Sequence, residues 1–217
     1  MLKKYARIVI SGDSVTDCGR ARPVGCRNTG LGSGYSYFVD TALSALYPEQ
    51  KIWVDNLGIG GDTSKGLLNR FDDEIIARNP DVVTVLIGIN NVWGHFDIRS
   101  NFPDNVAALN PEHYESHLRK MIEKTLNYGS KMVLITPFFL ESNKNDPMRN
   151  LCDKYNAIVK KLADEYGTYF CDVQAAFDAF MEKESAYLLS NDRVHPNPAG
   201  QYIIATELMK ILKTIEL

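Results

Sequence analysis

Four short blocks of this chain carry the residue types that chemistry needs. Gly12-Asp13-Ser14 comes first and Asn56-Leu57-Gly58-Ile59-Gly60-Gly61-Asp62 second, followed by Gly88-Ile89-Asn90-Asn91 and Asp192-Arg193-Val194-His195-Pro196. Together they supply a hydroxyl, a flexible backbone amide, a side-chain amide and an acid–imidazole pair, the parts that acyl transfer requires. A serine hydroxyl is a weak nucleophile until a base removes its proton. His195 is the candidate base for Ser14. Asp192, three residues earlier, is placed to accept a hydrogen bond from the other ring nitrogen, which fixes the tautomer and stabilises the imidazolium. Negative charge then develops on the former carbonyl oxygen, and each donor already aimed there is worth on the order of 10²–10³ in rate. The candidate donors are the Ser14 N–H, the Gly61 N–H and the Asn90 side-chain amide. Glycine suits the middle position because it allows close backbone approach and unusual dihedrals.

Neighbouring residues invite other readings. Asp13 precedes the candidate nucleophile and is a candidate substrate contact; its favoured role is structural, accepting hydrogen bonds from local backbone amides. Gly58-Ile59-Gly60-Gly61 resembles a phosphate-cradling loop but lacks G-x-G-x-x-G and a ribose-binding acid. His113 and His117 stand four apart, yet Tyr114 occupies the place where a zincin has Glu. Cys18 reads as a small core residue. Trp93 follows the third block, and core packing and stacking on a sugar ring are equally open to it.

The elements that must position these blocks alternate. Ala6–Ile10, Lys51–Asn56, Val82–Ile87, Lys131–Thr136 and Thr168–Val173 are short β-branched or apolar runs bounded by turn residues, and predict strands. Apolar residues at helical spacing predict helices from Tyr35 to Pro48, along Leu67, Leu68, Phe71, Ile75 and Ile76, over Glu112–Asn127, from Met148 to Gly167, around Ala175–Glu184 and from about Pro198. Residues 94–110 read as loop. Each crossover is long enough for a βαβ unit, so the expected fold is α/β: a five-stranded parallel sheet in a three-layer α/β/α sandwich. Ligands of such sheets bind beyond the carboxyl ends of the strands, where strand order reverses. The first three blocks lie at predicted strand ends.

The chain has 217 residues and a mass of 24.4 kDa, with 45% hydrophobic and 24% charged residues. That composition is globular and excludes disorder, collagen and coiled coil. With no linker or repeat, residues 1–217 are expected to form a single domain. A net charge of −3 leaves no basic excess to neutralise a phosphate backbone, which argues against nucleic acid as partner. No run of apolar residues is long enough for a membrane span. Cys18, Cys26, Cys152 and Cys171 show neither C-x-x-C nor zinc spacing. Two lysines before a short apolar stretch do not make an export signal. The expectation is a cytoplasmic protein with reduced thiols, no cofactor and no metal; a homo-oligomer is left open.

These blocks give the sequence its resemblance to the SGNH or GDSL-type hydrolases, whose blocks carry Ser, Gly, Asn and His in that order. Gly-Asp-Ser at 12–14, the glycine of Gly-Gly-Asp-Thr at 60–63, Gly-Ile-Asn-Asn at 88–91 and Asp-Arg-Val-His at 192–195 match them over nearly the whole chain. The resemblance implies a flavodoxin-like sheet and metal-free hydrolysis. GDSVTDCGRARPVG, GINNVWGHFD, TPFFLESNKNDPMRN and DVQAAFDAF look most like the bacterial intracellular acetylxylan esterases of that family, which deacetylate xylose units of short xylan fragments. The implied activity is a serine esterase acting on a small acetylated sugar through an acetyl-enzyme. Alternatives are a general short-chain carboxylesterase, thioesterase or lysophospholipase, and outside catalysis a carbohydrate-binding protein. The family's third block ends in Asp where this chain has Asn91. Where relatives have Arg after the tryptophan, Gly94-His95 stands here.

Overall fold

The computed structural model describes residues 2–22, 25–26, 28–96 and 110–216. Five strands run parallel: β1 (Arg7–Gly12), β3 (Trp53–Asn56), β4 (Val82–Leu86), β5 (Lys131–Ile135) and β6 (Tyr169–Cys171). A two-residue strand, β2 (Gly25–Cys26), adds antiparallel to β3, giving the order β2-β3-β1-β4-β5-β6. The expected α/β sheet is therefore present, with one edge strand too short to show any periodicity. Order reverses at β1, which pairs with β3 on one side and β4 on the other.

The strands read as continuous apolar runs because both faces are covered. Ile8, Ile10, Val82, Val133 and Ile135 point into one core, which α2 (Tyr35–Leu46), α7 (Val173–Met181) and α8 (Pro198–Leu212) close with Tyr35, Val39, Phe177, Ile204 and Leu208. Val9, Val83, Val85, Met132 and Leu134 alternate into the other. There α3 (Ser64–Asn69), α5 (Pro111–Tyr128) and α6 (Pro147–Tyr166) contribute Leu67, Tyr114, Leu118, Tyr155 and Leu162. No helix among the described residues is long and apolar enough to cross a membrane.

Several boundaries differ from the sequence expectation. β1 does not stop at Ile10; Ser11 and Gly12 pair with Val85 and Leu86, so the turn begins only at Asp13. The helix expected through Ile76 ends at Asn69 and continues as a wide π turn over Phe71–Ile75 and a 3-10 turn over Ile76–Arg78. That change of winding still leaves Leu67, Phe71 and Ile75 in the same core. Two short helices were not expected: α1 (Ser14–Asp17) and α4 (Ile89–Trp93). Most of the loop expected at 94–110 lies outside the described residues, as does the side chain of Cys26. Cys18, Cys152 and Cys171 are free thiols.

Candidate active site

Ser14 opens α1 directly beyond β1. Gly12 must be glycine, since a Cβ there would lie 2.3 Å from both the Leu86 carbonyl oxygen and Thr16 Oγ1. Asp13 caps the helix, its Oδ1 accepting the Val15 N–H at 3.0 Å. Its side chain is 1% exposed, which leaves no surface for substrate; the candidate substrate contact is instead the cap. Burial, with the Asp62 charge adding to it, pushes the Asp13 carboxyl up to about 7, against the pull of the Val15 N–H and His195.

Ser14 Oγ lies 2.8 Å from His195 Nε2, and His195 Nδ1 lies 2.6 Å from Asp192 Oδ2. Partial burial would raise the Asp192 carboxyl. It is outweighed by hydrogen bonds from the His195 backbone and ring, the Val194 N–H and the Ser190 hydroxyl, which hold the group well below the usual carboxylate range. Ionised Asp192 is an acceptor only, so His195 Nδ1 carries the ring hydrogen and donates. Nε2 is then the acceptor for the Ser14 hydroxyl.

The candidate oxyanion donors come from three strand ends. Neither the Ser14 nor the Gly61 N–H has an acceptor among the described residues. Gly61 sits in the Ile59–Asp62 turn at φ +80°, a conformation that favours glycine. Asn90, in α4 after β4, donates one amide hydrogen to the Asp62 carbonyl at 2.8 Å; its second is left for a ligand. Asn91 faces away from the site, fully buried, with Oδ1 accepting the Ser64 N–H at 2.9 Å and Nδ2 donating to Ser64 Oγ at 3.1 Å. It ties the third block to the second. Trp93, at the end of α4, is partly buried against the Leu118 core. His117 turns Nδ1 to Ser64 Oγ at 2.9 Å.

Sequence reasoning missed the residues that hold these parts. Asn56 is fully buried. Its Nδ2 donates to the Thr16 and Leu31 carbonyls at 2.7 and 2.8 Å, and its Oδ1 accepts the Gly58 N–H at 2.9 Å. Asp17 Oδ2 accepts the Gly60 N–H at 3.1 Å, and Arg20 Nε donates to the Gly58 carbonyl at 2.8 Å. Arg70 pairs with Asp62 at 2.8 Å. Between Asp192 and His195, Arg193 adopts φ +66°, uncommon for a residue with a Cβ. Its carbonyl accepts the Leu140 N–H at 2.9 Å, and its guanidinium lies 4.8 Å from the Phe139 ring centroid and 2.7 Å from Glu141 Oε2. A groove of about 530 Å³ borders this loop, lined by Glu141, Ser142, Lys183, Tyr187 and Arg193 among others.

Residues 10–203 match the GDSL-like Lipase/Acylhydrolase family. An acetylxylan esterase of Geobacillus stearothermophilus is 40% identical over 205 residues, which are 94% of this chain and 92% of that protein. The crystal structure of Axe2, an acetylxylan esterase from that organism, superimposes with a TM-score of 0.91 at 38% identity, covering 99% of this chain and 96% of that one. Variants of Axe2 described as catalytic mutants replace a serine, an aspartate and a histidine by alanine. LAE5, an alpha/beta hydrolase enzyme from the metagenome of Lake Arreo, Spain, matches with a TM-score of 0.92 at 32% identity over 100% of this chain and 99% of its own. On the order of its blocks, its sheet and these matches, the chain belongs to the GDSL-like lipase/acylhydrolase family.

Proposed function

We propose that this protein is a serine esterase that removes acetyl groups from acetylated xylo-oligosaccharides. The observation that carries the reading is the line from Ser14 Oγ through His195 to Asp192, with contacts of 2.8 and 2.6 Å. Ser14 attacks the acetyl carbonyl while His195 Nε2 takes its proton. The Ser14 and Gly61 N–H groups and the Asn90 amide receive the negative charge that appears on oxygen. The imidazolium, steadied by Asp192, returns the proton to the departing sugar oxygen. Water then enters by the same route, and acetate leaves. Each proton taken is given back, so no cofactor is needed.

The substrate follows from three supports. The acetylxylan esterase relatives match 94% and 99% of the chain. The groove beside the Asp192–His195 loop meets that loop only at Arg193; its lining is mostly charged or hydroxyl-bearing, with Leu140, Met181 and Ala186 as the apolar part, which suits a sugar approaching the site better than a fatty chain. Trp93 is our candidate platform for a sugar ring; it is partly buried, so only part of its indole is open. Free thiols at Cys18, Cys152 and Cys171 fit a cytoplasmic site of action.

Mass spectrometry of acetylated xylo-oligosaccharides, run beside a series of acyl esters, tests the proposal. Acetate release with a steep fall beyond butyryl is expected. Ser14→Ala should abolish both turnover and labelling by a fluorophosphonate. Octanoyl esters cleaved faster than acetyl ones would remove the sugar assignment, and full turnover by Ser14→Ala would remove the mechanism.

A further inference from the structure

Ser64, the first residue of α3, has a hydroxyl proton with a single destination. Its backbone N–H is a fixed donor and points 2.9 Å to an Asn91 side-chain atom, which must therefore be the oxygen. That leaves Asn91 Nδ2 facing Ser64 Oγ at 3.1 Å, where it donates. The Ser64 oxygen thus receives, and its own hydrogen needs an acceptor. Among the described residues the acceptor in reach is His117 Nδ1, at 2.9 Å. Ser64 and Asn91 are both fully buried, out of reach of bulk solvent, and a buried donor left without an acceptor is costly.

We infer that His117 is a positioning residue for the oxyanion-binding wall, held as the tautomer with its hydrogen on Nε2 so that Nδ1 receives the Ser64 hydroxyl. The functional half of this inference rests on the esterase reading. Asn91 follows Asn90, and Ser64 follows the Gly61–Asp62–Thr63 turn, so the chain Asn91 to Ser64 to His117 anchors two of the three candidate donors to α5 in the outer layer. Its direction is set by residue 91. A carboxylate there, as in the block pattern the sequence resembles, holds acceptors only. It would take both the Ser64 N–H and the Ser64 hydroxyl hydrogen, and Nδ1 of the histidine would then have to donate. Asn91 and an accepting His117 are a matched pair.

Nitrogen NMR of enzyme labelled in histidine reads the two ring nitrogens directly, with His117→Gln identifying the signals. At mildly alkaline pH the native enzyme should show a bare Nδ1 and a protonated Nε2 at residue 117. Asn91→Asp should move the hydrogen to Nδ1. In acetyl-ester kinetics, His117→Gln keeps an accepting oxygen and should retain kcat within about twofold. His117→Leu should lower kcat about tenfold with KM unchanged, the scale of one hydrogen bond. A protonated Nδ1 in the native enzyme overturns the inference, and so do equal kcat values for the two His117 variants. Neither result touches the esterase reading. If the native enzyme released no acetate, that reading would fall, while the ring nitrogens would still decide the tautomer.

Discussion

Ser14, Gly61 and Asn90 stand on the carboxyl edge of the sheet with Asn56, Ser64 and Asn91 buried behind them. Asp192 and His195 sit on an irregular loop, with 45% and 47% of their side chains exposed. The first region is positioned by long-range bonds made inside the core. The second is positioned by its own short circuit, in which one carboxylate collects the Ser190 hydroxyl, two backbone amides and the imidazole within six residues of chain. Arg193 then fastens that loop to residues 139–141. Preorganisation therefore has two sources here: the candidate nucleophile and candidate oxyanion donors draw on the same bonds as the fold, while the candidate acid–base pair is nearly separate from it. The two aspartates flanking the chemistry show the difference in charge terms. Burial keeps Asp13 above the ordinary carboxylate range, and donated hydrogen bonds keep Asp192 below it.

Substitutions on the two sides should fail in different ways. After the loss of turnover in Ser14→Ala, the largest effect is expected from Asp192→Asn, which should lower kcat by about 10⁴ by favouring the wrong histidine tautomer. Its melting temperature should stay close to native, because the amide oxygen can keep the three bonds that Oδ1 accepts from Ser190, Val194 and His195; a melt that falls in step with activity would erase the distinction. Asn90→Ala should lower kcat by roughly 10²–10³ with KM little changed, as expected of a group needed mainly in the transition state. A change confined to KM would make Asn90 a ground-state contact instead.

Asn56→Ala should act through the fold. Removing a buried amide strands two carbonyls and one N–H, and a loss of about 2–4 kcal/mol in denaturant unfolding is expected. Asp13→Asn should change the pH dependence of stability. The native carboxyl titrates near 7 against an unfolded value of 3.8. Between those values the folded state holds the extra proton, so the native protein loses stability as pH rises, by up to ~1.4 kcal/mol per pH unit. The variant keeps a capping oxygen without the titration. Its unfolding free energy should decline less than that of the native protein across this window, and parallel curves would mean Asp13 is not the group responsible.

The difference between the two regions also explains what could be read from sequence. The sheet was legible because Ala6–Ile10 and Val82–Ile87 are apolar runs with few alternatives to a covered strand. Ser14, Asp192, His195 and Asn90 were legible because their side chains are unusual together. Asn56 was not: a polar residue closing a strand looks like any turn former, and only the fold brings Thr16 and Leu31 to it. α4 is five residues long, shorter than two helical turns, so Gly-Ile-Asn-Asn carried no periodicity and no helix was expected there. The positive φ of Arg193 has no sequence signature, since it is imposed by anchors on another loop.

The contact between Ser14 and His195 closes a separation of 181 residues. Gln201 adds to the same closure, donating to the Val15 carbonyl at 3.2 Å and accepting the Tyr35 N–H at 2.9 Å. During synthesis the serine emerges early and stays an ordinary alcohol while most of the sheet is made. Its reactivity is conferred only when the segment carrying Asp192 and His195 has left the ribosome and docked. Esterase activity is thus a report on the docking of residue 195 against residue 14, and a nascent chain that stops short of His195 leaves Ser14 chemically silent.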